Sequence, residues 1–249
     1  MNSCLLNIGF INVNSIINKI SLLSDFVLEN KVDLLGVGET WLLPTVLDSF
    51  VGIGGFSIVR CDVRGHVAKH GVCLFIRDNI SFLVVSVDCP NCVVVRLLNF
   101  DIYVVVLYRP PSYSYEENCQ VVSFISDFCN DKEVIMLGDF NLPSIEWSQD
   151  GPSAKPGGVP HIERSFLDCF LTLGLTQWIC EPTFVLSGNI LDLVFTTDHD
   201  RVVDAQVLCP LPRCSHCPIM CSYSFQQLTG GLPVSSWLRK RSWFRGDYV

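Results

Sequence analysis

Residues 133–141 read Glu-Val-Ile-Met-Leu-Gly-Asp-Phe-Asn. The Asp and the Asn suit chemistry on a phosphate. The carboxylate of Asp139 can take a proton from water, and the amide of Asn141 can donate to a phosphate oxygen. Similar polar residues recur at the ends of other apolar runs. Asn12 and Asn14 close the first run, and Glu39 follows the second. Tyr108 and Arg109 stand before Pro110-Pro111, Asp192 interrupts an apolar stretch, and His216 immediately precedes a final one. Singly, each has an ordinary structural explanation: a turn residue, a helix start, a strand-edge charge, a structural histidine. Together and in order, they describe a site.

Such residues need strands to hold them. Short apolar runs bounded by turn residues predict strands over 5–13, 32–37, 56–60, 71–76, 81–87, 93–98 and 102–108. Further strands are expected at 134–137, 190–195, 202–208 and 217–225, with Gly138 ending the strand before Asp139. Helical spacing appears at Ile16, Ile20, Leu23 and Val27, with Ser15 as N-cap, and again over 116–129 and 162–173. Residues 142–160, rich in Pro, Gly and Ser, read as a surface loop. Many strands and few helices, without strict alternation, predict an α/β protein of two packed sheets with helices outside.

Apolar residues make up 49% of the 249-residue chain and charged residues 17%, enough for a large core and against disorder. Arg96 and Asp101 interrupt the longest apolar run, so no membrane span is expected. The N-terminus lacks a signal-peptide pattern, which points to an intracellular, reducing location. The 13 cysteines, odd in number and scattered, fit buried free thiols. A zinc site from Cys209, Cys214, His216, Cys217 and Cys221 is a further option. The formal charge is −8. Residues 226–249 carry four cations (Arg239, Lys240, Arg241, Arg245) against Asp247, a net +3 that leaves −11 for the rest. An acidic body suits a cation site and disfavours tight nonspecific DNA binding.

The ordered set resembles the endonuclease/exonuclease/phosphatase family, whose fold is DNase-I-like. The matching segments are Ile11-Asn12-Val13-Asn14, Gly38-Glu39-Thr40, Tyr108-Arg109-Pro110, Leu137-Gly138-Asp139-Phe140-Asn141, Ile190-Leu191-Asp192 and Ser215-His216-Cys217-Pro218-Ile219. Within that family the chain is most similar to the endonuclease domain of non-LTR (LINE-type) retrotransposon polyproteins. Gly38-Glu39-Thr40-Trp41-Leu42, Leu107-Tyr108-Arg109-Pro110-Pro111, Gly138-Asp139-Phe140-Asn141-Leu142-Pro143 and Glu181-Pro182-Thr183-Phe184 carry this closer likeness. It implies a four-layer α/β sandwich, two packed mixed sheets flanked by helices. Residues 1–225 would form the nuclease domain, and 226–249 a basic, aromatic connector toward a reverse transcriptase domain.

The resemblance also assigns roles. Glu39 and Asn14 would hold Mg2+ or Mn2+, and Asp139 would activate water. Asn12, Asn141 and His216 would donate to the phosphate, with Tyr108 near the phosphate or the leaving oxygen. Asp192 would accept from His216 and favour its charged form. Arg109 and Thr183 join Asn12 and Asn141 as expected substrate contacts. One departure stands out: where the family usually has Asp before the histidine, this chain has Ser215, a weaker, neutral ligand for the metal site. The activity implied is Mg2+-dependent nicking of DNA, whose new 3′ hydroxyl primes reverse transcription in the nucleus. The alternatives are a catalytically weakened DNA-binding or interaction module, or a phosphodiesterase on abasic DNA, a phosphoinositide or sphingomyelin.

Overall fold

A computed structural model describes residues 3–62 and 69–226. The four cations of the basic tail lie outside these residues. In chain order the strands are β1 (Ser3–Asn12), β2 (Leu34–Gly38), β3 (Phe56–Cys61), β4 (Val72–Arg77), β5 (Phe82–Val85), β6 (Cys92–Leu97) and β7 (Ile102–Tyr108). They continue as β8 (Val134–Asp139), β9 (Ile145–Ser148), β10 (Gly151–Ala154), β11 (Thr176–Gln177), β12 (Asp192–Thr196), β13 (Val202–Val207) and β14 (Ile219–Gln226). The α-helices are α1 (Ile20–Glu29), α2 (Tyr115–Cys129) and α3 (His161–Thr172).

Two six-stranded sheets carry the fold, ordered β13-β14-β1-β2-β4-β3 and β11-β12-β8-β7-β6-β5. Both have the same pairing pattern: one central parallel pair, with antiparallel pairs on either side. This pattern positions the site. In each sheet the two parallel strands end together, and the next strand, antiparallel, begins at the same edge. Asn12 at the end of β1 pairs with Gly38 at the end of β2, and β14 starts just after His216. Tyr108 pairs with Asp139 and Asp192 pairs with Asp139, so one edge of the second sheet holds all three.

The sheets face each other across a core that includes Ile8, Phe10, Leu74, Val95, Val104, Val106, Leu137 and Tyr223. Gly36 sits where a Cβ would come within 3.0 Å of Val106, so a side chain there would crowd the sheets apart. Helix α1 covers the outer face of the first sheet with Leu23, Phe26 and Val27. Helices α2 and α3 cover the outer face of the second with Val121, Ile125, Phe166, Leu167 and Phe170. The result is the four-layer α/β sandwich. Among the described residues, no helix is long and apolar enough to cross a membrane.

Four local expectations change. Gly138 does not end its strand: β8 runs through it to Asp139. Glycine is needed there because an added Cβ would lie 1.9 Å from the Leu107 carbonyl oxygen. Ser15 does not cap a helix. It has φ +80, its amide donates to the Glu39 carbonyl at 2.8 Å, and a 3-10 turn (Ile17–Lys19) precedes α1. The stretch 142–160 holds the β9–β10 hairpin, which buries Ile145 and Trp147. Cys209, Cys214, His216, Cys217 and Cys221 do not gather into a zinc cluster. The four cysteines are unbridged thiols, Cys221 is in the core, and His216 is engaged by carboxylates.

Candidate active site

Asn12 joins the two sheets. Its amide nitrogen donates to Glu39 Oε1 and to Asp139 Oδ2, both at 2.9 Å, while its oxygen accepts from the Asn14 amide at 3.2 Å. The reverse amide orientation would face its oxygen against two carboxylates, so the hydrogen-bond network sets this one. Glu39 receives two more donors: the Tyr108 hydroxyl at 3.0 Å and the Trp41 indole at 3.3 Å. Glu39 and Trp41 both have left-handed backbone, φ +50 and +56, of the kind that clusters at functional sites. The neighbouring amides of Thr40 and Trp41 donate to the carbonyls of Gly71 and His70, which holds this turn in place.

Asp139 is fully buried and accepts from the Asn141 backbone amide at 3.1 Å as well as from Asn12. Burial, with the charge of Asp192 behind it, raises its pKa to about 7, against the downward pull of His216 and Asn12. His216 stands between two carboxylates. Its Nδ1 lies 2.8 Å from Asp192 Oδ2, and its Nε2 lies 3.9 Å from Asp139 Oδ2. Burial opposes the charge on His216, but the charge and hydrogen bond of Asp192, with help from Asp139, lift its pKa to about 9. The ring is therefore an imidazolium at neutral pH, with both nitrogens donors. Tyr108 is pushed far above its usual range, first by burial and then by the charges of Glu39 and Asp139, and stays a protonated donor.

Asn12, Asn14, Glu39, Tyr108, Asp139, Asn141, Ser215 and His216 line one cleft of about 440 Å³. The structure does not bring the other three expected residues to its wall. Asp192 lies behind His216. Thr183 is buried, and its hydroxyl accepts from the amides of Leu191 and Asp192, both at 3.0 Å, which pins the start of β12. Arg109 is also buried. Its guanidinium donates to Asn118 Oδ1 (2.6 Å) and to the carbonyls of Phe140 (3.2 Å) and Asn141 (2.7 Å), and stacks over Phe166. In return the Asn141 side-chain amide donates to the Arg109 carbonyl at 3.1 Å. Arg109 and Thr183 thus brace the site from behind and do not face a substrate.

Sequence reasoning missed Lys69, His70 and Phe184 on the cleft wall. The Phe184 ring lies 4.7 Å from that of His216. His70 was findable by the signal that found His216, a histidine just before an apolar strand. Asn118, polar on the buried face of α2, carried no signal for its partnership with Arg109.

The donor set fits a hard divalent cation. Glu39 and Asn14 offer oxygens, Asn14 on the solvent side, which suits an ion that keeps waters. Asp192 Oδ1 is buried without a hydrogen-bond partner, a carboxylate oxygen still free to accept. Among the described residues, Asp139, Asp192 and His216 also lie close enough to share an ion, their ligand atoms within 4.8 Å. His216, hydrogen-bonded to Asp192 through Nδ1 and 3.9 Å from Asp139 at Nε2, serves there as the local cation instead of as a ligand.

The two packed mixed sheets flanked by helices form a DNase-I-like fold, with the cleft at the strand ends. A family model described as endonuclease-reverse transcriptase matches residues 102–219. The chain is similar in structure to the endonuclease domain of TRAS1, a telomere-specific non-LTR retrotransposon: TM-score 0.68, 15% identity, covering 90% of this chain and 100% of that one. It is similar to an AP endonuclease from Leishmania major, with TM-score 0.74, 13% identity and 89% and 88% of the two chains covered. It is also similar to a 3′ phosphatase from Neisseria bound to a product DNA hairpin, with TM-score 0.66, 17% identity and coverage of 88% and 99%. No curated protein matches the chain significantly in sequence.

Proposed function

We propose that this protein is a metal-dependent DNA endonuclease that nicks one strand by hydrolysing a phosphodiester bond. One observation carries the reading. The Asn12 amide binds Glu39 and Asp139 at once, while the His216 imidazolium lies 3.9 Å from that same Asp139 oxygen. A cation site, a base and a phosphate donor thereby share one cleft.

In this reading Glu39 and Asn14 would hold Mg2+ or Mn2+, which when bound would relieve charge on the phosphate and favour ionisation of water. Asp139, with a pKa near neutrality, takes the proton of the attacking water. The new bond forms between the water oxygen and phosphorus, and the bond from phosphorus to the 3′ oxygen breaks. Asn141 and His216 donate to the non-bridging oxygens. Asn12 was expected to join them, but both of its amide protons go to Glu39 and Asp139, so it orients those two carboxylates instead. Tyr108 would donate to the phosphate or the leaving oxygen by turning its one hydroxyl proton away from Glu39. Asp192 keeps His216 charged and oriented. The nick carries a 3′ hydroxyl, the end a polymerase extends.

The family description and the retrotransposon neighbour support a further assignment. Residues 1–225 are the nuclease domain, and 226–249 connect toward a reverse transcriptase domain of a longer polyprotein that acts in the nucleus. Ser215 favours one rival reading, a weakened module that binds DNA without cutting it. The test incubates purified protein with supercoiled plasmid, with Mg2+ and with EDTA, beside Asp139→Ala. Mg2+-dependent open circles, absent with the variant, support the proposal. Binding without nicking supports the rival.

A further inference from the structure

The turn that carries Asn14 is unusual. Asn14 and Ser15 both have left-handed backbone, φ +48 and +80, although neither is glycine. All three backbone donors of this turn are occupied. The Val13 amide donates to the Gly38 carbonyl at 3.1 Å, Asn14 to Asn12 Oδ1 at 3.2 Å, and Ser15 to the Glu39 carbonyl at 2.8 Å. The carbonyls of the same three residues converge on one group. The ammonium of Lys19 donates to Val13 O (2.5 Å), Asn14 O (3.1 Å) and Ser15 O (3.3 Å). A Lys ammonium has three protons, and all three are accounted for. Lys19 is half-buried, and no carboxylate pairs with it among the described residues. Its three protons are therefore committed to backbone carbonyls.

We propose that Lys19 is a positioning residue for the cation site. Its ammonium gathers three consecutive carbonyls, fixes the left-handed turn, and so holds the Asn14 side chain beside Glu39. Left-handed backbone is disfavoured at residues other than glycine, so the turn persists only where its surroundings impose it. Backbone ties to β2 constrain the turn from the amide side, and Lys19 constrains it from the carbonyl side. The inference rests on the reading of Glu39 and Asn14 as metal ligands.

Lys19→Met removes the donor and keeps the length of the side chain. Losing a group that orients a metal ligand typically costs about 10–100-fold in metal affinity. The Mg2+ concentration for half-maximal nicking should rise by about that factor, with the rate at saturating Mg2+ changed less. A second readout needs no turnover. The Trp41 indole donates to Glu39, so Mn2+ bound at Glu39 should quench its fluorescence, with Trp41→Phe as the blank. Lys19→Met should shift that quenching curve to higher Mn2+ by a similar factor. In an Asn14→Ala background the same substitution should add little, because the ligand it positions is already gone. Lys19→Gln, which keeps a donor and is the variant to use if Lys19→Met does not fold, should fall between the two.

Unchanged Mg2+ and Mn2+ curves in a folded Lys19 variant would overturn the inference. So would a full additive loss in the Asn14→Ala background, since Lys19 would then act elsewhere. If the wild type nicks but Glu39→Ala leaves both metal curves unmoved, the assignment of the ligands fails first. The two failures are thus distinguishable.

Discussion

Replacing Asp139 by Asn should slow the enzyme and stabilise the protein. The substitution keeps the shape and removes the charge of a fully buried carboxylate. Loss of a general base costs about two to four decades in rate, or roughly 3–5 kcal/mol of transition-state stabilisation. Stability moves the other way. The folded pKa is raised from 3.8 to about 7. A group shifted upward adds stability below its unfolded pKa and loses it as pH rises through its folded value. Ionised Asp139 therefore costs about 4 kcal/mol above pH 7, at roughly 1.4 kcal/mol per unit. The new side-chain amide would set its NH2 against the Asn12 NH2, and one unmade buried hydrogen bond costs about 1–3 kcal/mol. The net gain is about 1–3 kcal/mol, or a Tm rise on the order of 2–10 °C for a domain of this size. The assay is thermal unfolding in EDTA from pH 4 to 9, beside plasmid nicking in Mg2+. The gain should be greatest above pH 7 and vanish near pH 4. A variant that melts several degrees lower at pH 8, or that nicks at the wild-type rate, would refute the argument and make Asp139 a structural turn residue.

Glu39→Ala should abolish Mg2+-dependent nicking while the fold survives, since its carboxylate faces the cleft and its removal leaves only amide, indole and hydroxyl donors that water can reach; plasmid nicking and circular dichroism check this. His216→Gln should cost about 3 kcal/mol of stability at pH 6 and much less at pH 9.5, because the folded pKa of about 9 exceeds the ordinary value of 6.5; metal-free unfolding at both pH values measures it. Ser215→Asp should lower the Mg2+ concentration for half-maximal nicking without lowering the maximal rate, and a slower rate would mean that the site is built around the hydroxyl. Protein ending at residue 226 should bind duplex DNA more weakly and with a shallower salt slope than the full chain; equal slopes in a filter-binding titration would make the basic tail a spacer.

Much of the site was legible because strand ends are legible. A short apolar run followed by Asn, Glu or Asp marks where a strand stops, and parallel central strands stop at the same edge. What the sequence leaves out is which face each side chain takes. Arg109 follows Tyr108, and adjacent strand residues point to opposite faces. Tyr108 faces the core between the sheets, so its neighbour turns toward α2 and α3, where Asn118 and Phe166 receive it. Alternation alone could have moved Arg109 from the expected substrate contacts to the bracing shell. Thr183 is different. Its hydroxyl is fixed by the amides of Leu191 and Asp192, a contact across a loop that no local pattern announces. The β9–β10 hairpin was missed because four-residue strands separated by Gln149 and Asp150 look like the loop around them.

The charges of the cleft bear on both a divalent cation and Ser215. Glu39, Asp139 and Asp192 stand against the His216 imidazolium and the Lys69 ammonium, so with all three carboxylates ionised the site is still net negative and would repel a phosphodiester. Asp139 meets part of that problem by holding its proton to near neutral pH, and His216 meets part by staying charged. Neither suffices once Asp139 must be a base, because a base has to be ionised. A cation beside Glu39 then changes the sign of the field met by the phosphate. A carboxylate at position 215 would attract that cation more strongly and would also repel the substrate more strongly when the cation is absent. A hydroxyl there gives up cation affinity and leaves an emptier, less negative cleft. With Glu39 and Asn14 as the proposed ligands, their geometry would then have to supply more of the affinity, and this is the demand that the proposed role of the Lys19 turn would meet.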